Sequence, residues 1–503
     1  MGIPSFYRHL CKSCPGVITS EIPKVDWLCL DFNCAIYFVL HKFKQANPIQ
    51  NASWEADLIK EVILYLKEII RVADPAIGVF VSVDGAVCAA KRRQQRLRRF
   101  KSDPTATWDQ NAITPGSHFM SMLNRGLKEE EGVTSGTRII ISGSDEPGEG
   151  EHKIMRFVRG EGLTGGIAIY GLDADLILLA MLLQADTGCS ISLMREAQEF
   201  EKAPDSGGGS FRSLSINALQ KALFDGGGGA SDTRHTRDFV CAMSLLGNDF
   251  LPRSLTHTVR EQGIPDLLKI LGESMWSKGI NLVTADNRVS IYGLLRIVSL
   301  WAHNEQADLF AAVQRAQKAA NYPTYDEESE KNSLPAKWAT ITHILPHLHS
   351  QESWQSFYES WHPGTPANYL LGLAWIWDYY SGLPVDQAWN FEEHLPPTWS
   401  ALEHELIRRL HDSGEGEGVL EPPVILYPSP LPDKLHLLSV LPMTSIEKLL
   451  PPEFVKIAHQ FPWYWPTSWG VHDVGKTQLW ECEPVIPLLP ELLLRSLRVS
   501  DKE

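Results

Sequence analysis

Four β-rich runs that each lead into a carboxylate constrain this chain more than any other feature. Residues 27–30 run into Asp31 and residues 78–83 into Asp84. Residues 138–142 precede the segment carrying Glu149 and Glu151, and residues 167–170 precede Asp173 and Asp175. A helix-compatible stretch follows each run, as 176–183 follows the last. This alternation predicts an α/β fold, a mainly parallel sheet with helices on both faces. Open sheets of that kind gather ligands beyond the carboxyl ends of their strands. These acids, together with Asp249 in LLGNDFLP, are therefore expected at one edge.

Carboxylates brought together repel, and some take up protons unless cations are present. Oxygen ligands without clustered His or Cys fit Mg²⁺ or Mn²⁺ rather than zinc. Two such ions would activate a water and steady the leaving oxygen of a phosphodiester. Each acid taken alone has a plainer use. An Asp after a strand forms turns or caps a helix, and Glu149 and Glu151 also suit a helix N-terminus.

A basic run, KRRQQRLRRFK, starts seven residues after Asp84 and holds seven positive charges and no acid. As a bare sequence it reads as a solvated helix face or a nuclear localisation signal. As a site it reads as a phosphate pocket, because arginine forks bind phosphate oxygens bidentately. The net charge of −15 disfavours a nucleic-acid partner unless positive charge is concentrated locally, and this run concentrates it. Cys11 and Cys14 form a C-x-x-C with no second pair at zinc spacing, and the eight cysteines show no disulfide framework. With no apolar run of 18 residues and no signal-peptide or myristoylation pattern, a soluble intracellular protein is expected, nuclear or cytoplasmic.

From about Pro252 helical periodicity takes over, as in 264–271 and 291–301. Glycine-rich tracts at 206–210 and 226–229, an acidic stretch at 326–330 and a polar loop at 412–418 read as loops or inserts. The expected division is an α/β unit over 1–255 and a mostly α-helical unit over 256–503.

The segments MGIPSFYRHL, LCLDFN, VDGAVCAAKRRQQRLRRF, ITPGSHFM, SDEPGEGEHKIMRFVR, YGLDADLILLAML and LLGNDFLP follow one another in that order. Together they resemble the 5′→3′ exoribonuclease family. YLLGLAWIWDYYSG, LPDKLHLLSVLP, LPPEF and GKTQLWECEPVIPLL extend the resemblance into the second half. It implies a nuclease domain of the PIN and flap-endonuclease type. The implied activity removes nucleoside 5′-monophosphates one at a time from single-stranded RNA with a 5′-monophosphate, in RNA decay or processing, with two Mg²⁺ or Mn²⁺ ions. By motif match the metal-binding and catalytic acids would be Asp31, Asp84, Glu149, Glu151, Asp173, Asp175 and Asp249. The 5′-phosphate pocket would fall on Lys91, Gln95, Arg98 and Arg99.

The chain departs from the family pattern in places. Where the family reads D-M-N-G-I-I-H, this chain reads Asp31-Phe32-Asn33-Cys34-Ala35-Ile36-Tyr37, so Tyr37 replaces a histidine that stacks on a base. The tyrosine-rich stretch expected after YYSG has become WNFEEH, leaving Trp389 as the second stacking candidate. The basic run is soon followed by Thr114-Pro115-Gly116, which cuts short a long polar helix. No zinc knuckle is visible, and the chain is identified as a compact, divergent member. Two alternatives stay open: a catalytically inactive RNA-binding scaffold on the same fold, and a structure-specific DNA nuclease of the related flap class.

Overall fold

A computed structural model describes residues 6–46, 53–102, 106–134, 137–171, 173–197, 211–224, 233–259, 262–320, 344–414, 418–476 and 479–497. The glycine-rich tracts and the acidic stretch lie outside these residues, as does 415–417 of the polar loop.

The strands of the main sheet are β1 (Ile18–Thr19), β2 (Trp27–Asp31), β3 (Gly78–Ser82), β4 (Gly132–Thr134), β5 (Thr137–Ser142), β6 (Gly166–Tyr170), β7 (Ser190–Glu196) and β8 (Phe211–Ser215). They form one sheet in the order β1-β8-β7-β6-β2-β3-β5-β4. The five central strands, β7 to β5, pair in parallel. The outer pairings, β8 on β7, β1 on β8 and β4 on β5, are antiparallel. Every residue of β2 and β3 is buried, as expected of parallel strands covered on both faces.

Side chains alternate along each central strand and divide between two cores. Trp27, Cys29, Phe80, Ile167, Ile169, Ile191 and Leu193 face one core. Leu28, Leu30, Val79, Val81, Ile139, Ile141, Ala168 and Tyr170 face the other. Helices α2 (Asn33–Ala46), α3 (Trp54–Ala73) and α5 (His118–Lys128) cover the second face. Helices α6 (Gly150–Gly160), α7 (Asp175–Thr187) and α9 (Thr233–Met243) cover the first. The other helices of this half are α1 (Phe6–Ser13), α4 (Ala89–Arg99) and α8 (Ile216–Phe224). The predicted mainly parallel sheet with helices on both faces is what the chain forms.

Beyond residue 255 the described elements are almost all helical: α10 (Gly263–Lys269), α11 (Ile291–Ala320), α12 (Gln351–Glu359), α13 (Pro366–Ser381), α14 (Trp399–Asp412), α15 (Asp433–Val440), α16 (Met443–Leu449), α17 (Pro452–Gln460) and α18 (Glu491–Ser496), with one small β-ribbon. The first core does not stop at that residue. It runs on through Leu294, Val298, Tyr369, Trp375, Trp377 and Leu402, so α11, α13 and α14 share apolar packing with α7 and α9. A third core joins Leu97 and Phe100 of the α4 region to Leu437, Leu438, Ile446 and Phe454. Helix α10 turns into a wider π-helical segment at Ile270–Met275, within the single helix predicted over 264–271. No described helix is long and apolar enough to cross a membrane. All eight cysteines are free thiols.

Candidate metal centre and phosphate pocket

The strands that carry or precede the predicted acids are neighbours in the order β6-β2-β3-β5, all running the same way. Their carboxyl ends therefore form one rim. Asp31 ends β2, Asp84 lies two residues past β3, and Asp175 opens α7 just past β6. Glu149 is the N-cap position of α6, and Glu151 lies in its first turn. Asp249 comes from the turn after α9, where Asn248 Oδ1 accepts from the amides of Phe250 and Leu251.

Two glycines permit this closeness. A Cβ on Gly150 would lie 2.4 Å from Asp31 Oδ1, and one on Gly85 would lie 1.8 Å from the Glu146 carbonyl. The glycines of the GEGEH and VDG segments thus let α6 and the β3 loop approach to contact.

Asp84 is aimed by its neighbours. Asn33 Nδ2 donates to Oδ2 at 3.0 Å, and the Gly150 amide donates to Oδ1 at 2.7 Å. In return the Asp84 amide donates to Asn33 Oδ1. Lys153 ties the loops below by donating to the carbonyls of Val83 and Gly143, at 2.8 and 2.7 Å. Carboxylate oxygens of Glu151, Asp173 and Asp175 all lie within 4.8 Å of one another. A ring nitrogen of His152 and oxygens of Glu149 and Glu151 meet the same limit.

Among the described residues, Lys91 brings a cation into this cluster. Lys91 Nζ contacts Glu149 Oε2 at 2.5 Å and Asp249 Oδ2 at 3.0 Å. Burial works against its charge, but Glu149, Asp249, Glu151 and Asp175 outweigh burial and hold the ammonium protonated. A single ammonium does not balance the cluster. Burial, then Asp84, Asp173 and Asp175, raise Asp31 well above the usual carboxylate range. Burial, then Asp175 and Glu149, do the same to Glu151. Asp175 is pushed up to about 7, chiefly by burial, with Lys91 opposing and Asp173 and Asp249 adding to the rise. Burial and Glu149 also raise Asp84. The pocket favours additional positive charge and takes protons where none is supplied. The carboxylate oxygens of Glu151, Asp173 and Asp175 in that condition fit a hard divalent cation.

The basic run forms α4, and its two faces do different work. Arg92 pairs with Glu491. Arg96 is fully buried, donates to the carbonyls of Ser439 and Tyr464, and lies over the Phe100 ring. Arg93 reaches the carbonyls of Glu392 and Glu393, and Lys101 that of Cys482. Four of the seven cations therefore tie the first half of the chain to the second. The other face carries the predicted pocket residues Lys91, Gln95, Arg98 and Arg99, at the i, i+4, i+7, i+8 spacing of one helical stripe. Arg99 Nε donates to Thr114 Oγ1 at 2.9 Å, and burial lowers it to about 10. Gln95 is buried with its side-chain oxygen unpartnered. Arg98 is exposed and makes no hydrogen bond or ion pair among the described residues.

The two stacking candidates sit differently. Tyr37 is half-buried on α2 at the edge of the second core, within electrostatic reach of Arg99. Trp389 is half-buried, with its ring 5.1 Å from Trp375, and it closes against Gly372. Residues that sequence reasoning passed over also belong here: Asn33, Lys153, His152 and Tyr379. Tyr379 lies in the YYSG segment, and its hydroxyl donates to Glu149 Oε1 at 2.6 Å. Nothing local in the sequence links it to an acid 230 residues away.

Comparison with known proteins adds three findings. The family model described as the XRN 5′-3′ exonuclease N-terminus matches residues 1–107 and 101–197. Among curated proteins, "5'-3' exoribonuclease 1" of Saccharomyces cerevisiae is 28% identical over 324 residues, 55% of this chain and 21% of that protein. "5'-3' exoribonuclease 2" of Yarrowia lipolytica is 26% identical over 445 residues, 67% of this chain and 41% of that protein. "5'-3' exoribonuclease 1" of Homo sapiens is 33% identical over 235 residues, 40% of this chain and 14% of that protein. The matches thus span 14% to 41% of the length of these three relatives. Among solved structures, "The catalytic core of Rad2 in complex with DNA substrate" overlaps 82% of this chain and 95% of that one, at 13% identity and a TM-score of 0.34.

Proposed function

We propose that this chain, whose residues 1–197 match the family model of the XRN 5′-3′ exonuclease N-terminus, is a divalent-metal-dependent 5′→3′ exoribonuclease acting on single-stranded RNA with a 5′-monophosphate. The observation that carries this reading is the carboxylate rim with its basic stripe alongside. Glu151, Asp173 and Asp175 bring oxygens within 4.8 Å of one another, and Lys91 lies between Glu149 and Asp249. Oxygens of Asp31, Asp84, Glu149, Glu151, Asp173, Asp175 and Asp249 would hold two Mg²⁺ or Mn²⁺ ions. The donor chemistry supports this, since burial and neighbouring acids raise Asp31, Asp84, Glu151 and Asp175 above the usual carboxylate range. Bound ions supply water activation and charge neutralisation at the scissile phosphate.

The chain's own groups have separable tasks. Asn33 and the Gly150 amide fix the direction of Asp84. Lys91, Gln95, Arg98 and Arg99 receive the terminal 5′-phosphate, with exposed Arg98 as its most accessible charge. Charge-assisted bonds to a phosphate exceed those to a neutral hydroxyl, which selects the monophosphate end. Tyr37 and Trp389 stack on unpaired bases and hold the strand between cycles. Residues 1–255 act as the nuclease unit, and residues 256–503 enclose its mouth.

The test is a time course with Mg²⁺ on matched strands: 5′-monophosphate RNA, 5′-hydroxyl RNA and 5′-monophosphate DNA of one sequence. The expected product is nucleoside 5′-monophosphate from the first strand, with the other two degraded slowly. Binding without hydrolysis would replace this reading with the scaffold, and faster cleavage of DNA with the flap-class nuclease.

A further inference from the structure

Helix α13 is fixed firmly before it reaches the acids. Thr365 accepts from the Asn368 amide at its start, and Pro366 occupies the first turn. Gly382 ends it at a φ of 77°. Trp375 Nε1 donates to the Asp386 carbonyl and Trp377 Nε1 to that of Asn287, both at 2.9 Å. One turn past Trp375, the Tyr379 ring stacks on it at 4.9 Å and 19°. The same ring lies 4.0 Å from the buried His152 imidazole and meets the edge of Phe250 at 5.6 Å. Three aromatic neighbours thus set the ring, and the ring sets the direction of its hydroxyl.

That hydroxyl donates to Glu149 Oε1 at 2.6 Å. Lys91 holds the other oxygen of the same carboxylate. Glu149 is thereby gripped at both oxygens by groups from two different parts of the chain. Glu149 precedes α6 and has no side-chain capping bond of its own to restrain it.

We infer that Tyr379 is a positioning residue of the metal centre: its hydroxyl holds the Glu149 carboxylate in the orientation in which it faces the cation site. Helix α13 would thus complete the centre as well as cover it. The inference rests on the proposed metal-dependent reading of the acid cluster. Partners of metal-binding groups that lie one shell out are worth roughly 10–100-fold in affinity or activity. Removing this single hydroxyl should therefore weaken the ion without disturbing the ring stack that carries it.

The experiment uses the full chain and Tyr379→Phe, alone and combined with Glu149→Gln. Mn²⁺ binding is measured by the loss of its free-ion electron paramagnetic resonance signal, and hydrolysis of 5′-monophosphate RNA is measured against Mn²⁺ concentration. Tyr379→Phe should bind Mn²⁺ about 10-fold more weakly. Its rate at low Mn²⁺ should fall in proportion and largely recover at saturation. In the Glu149→Gln background the same substitution should change Mn²⁺ affinity less than ~2-fold, because the group it positions is gone. Unchanged affinity and rate in Tyr379→Phe would overturn the inference and leave the hydroxyl as packing. An equal loss in both backgrounds would also overturn it, because Tyr379 would then act by another route. Failure of the unsubstituted protein to bind Mn²⁺ or cleave RNA would instead overturn the metal-dependent reading beneath it.

Discussion

Replacing Asp175 by asparagine should stabilise the metal-free protein while disabling it. Asp175 is 2% exposed, and its carboxyl is raised from an ordinary 3.8 to about 7. The folded state therefore holds this proton more tightly than the unfolded chain does. Stability is full below pH ~4 and is lost as pH rises from there through about 7. A displacement of that size corresponds to roughly 4 kcal/mol as an upper figure, at ~1.4 kcal/mol per pH unit. Asparagine keeps the shape, and its side-chain oxygen can still accept from the Leu176 amide, but it carries no charge to bury. In chelator at pH 7.5, Asp175→Asn should melt up to about 4 °C above the unsubstituted protein. That figure takes ~2 cal/mol/K of unfolding entropy per residue over the whole chain. The gap should shrink as pH falls and close only below pH ~4, where the unfolded chain is protonated at this position as well. It should also close, or reverse, in millimolar Mg²⁺, because a bound cation stabilises only the carboxylate form. Differential scanning fluorimetry from pH ~3.5 to ~8, with and without Mg²⁺, reads all three outcomes. Metal-free unsubstituted protein as stable as Asp175→Asn at pH 7.5 would refute the account of mutual repulsion in a buried cluster.

Asp173→Ala should lower hydrolysis of 5′-monophosphate RNA by at least ~10²–10³-fold with unchanged circular dichroism, and near-normal turnover would remove it from the site. Arg96 and Arg98, two residues apart, should separate structure from recognition. Arg96→Ala should cost about 1–3 kcal/mol in urea unfolding because it strips donors from two buried carbonyls. Arg98→Ala should stay within ~0.5 kcal/mol yet erase the preference for a 5′-monophosphate over a 5′-hydroxyl. Tyr37→Ala should leave abandoned intermediates on long RNA, with Tyr37→His restoring long runs; uniform slowing without intermediates would make Tyr37 a packing residue.

The central sheet was legible because its strands are buried on both faces and read as short apolar runs ending in acids. Strand β7 was not, because SISLMRE mixes serines, an arginine and a glutamate with its apolar residues. Its Glu196 is buried all the same, accepting from the hydroxyls of Tyr65 and Tyr170, two partners that only the folded chain brings together. The antiparallel edges β1, β4 and β8 are too short or too polar to announce themselves. At the site, six of the seven acids could be found from their place after a strand, whereas Asp249 follows α9. Lys91 could be found as basic, but not as the counter-ion of Glu149 and Asp249, which depends on how α4 lies across the rim. Tyr379 was hidden for the same reason: its partner is remote in sequence, and a tyrosine among Trp and Ile residues reads as core.

Helix α4 also resolves the tension between a net charge of −15 and a nucleic-acid substrate. A fully solvated basic helix would offer seven cations to any polyanion, with binding that weakens steeply with salt. Here Arg92, Arg93, Arg96 and Lys101 are engaged with Glu491 and with backbone carbonyls of the second half, and Lys91 with Glu149 and Asp249. Arg99 is tied to Thr114, which leaves Arg98 as the exposed charge of the stripe. Few cations of this run then remain to hold RNA along its backbone by charge alone. On the proposed reading, grip on a long strand would come from stacking and from bound metal ions, with the basic stripe reading the terminal phosphate. It follows that raising salt from 50 to 200 mM should weaken RNA binding by much less than the ~10³–10⁵-fold expected for six to ten phosphate contacts. Fluorescence anisotropy of Asp173→Ala on 5′-monophosphate RNA, across that salt range, measures it. A loss as steep as that of a fully solvated basic surface would mean that the tied arginines release their partners when RNA arrives, and that α4 is a binding face along its whole circumference.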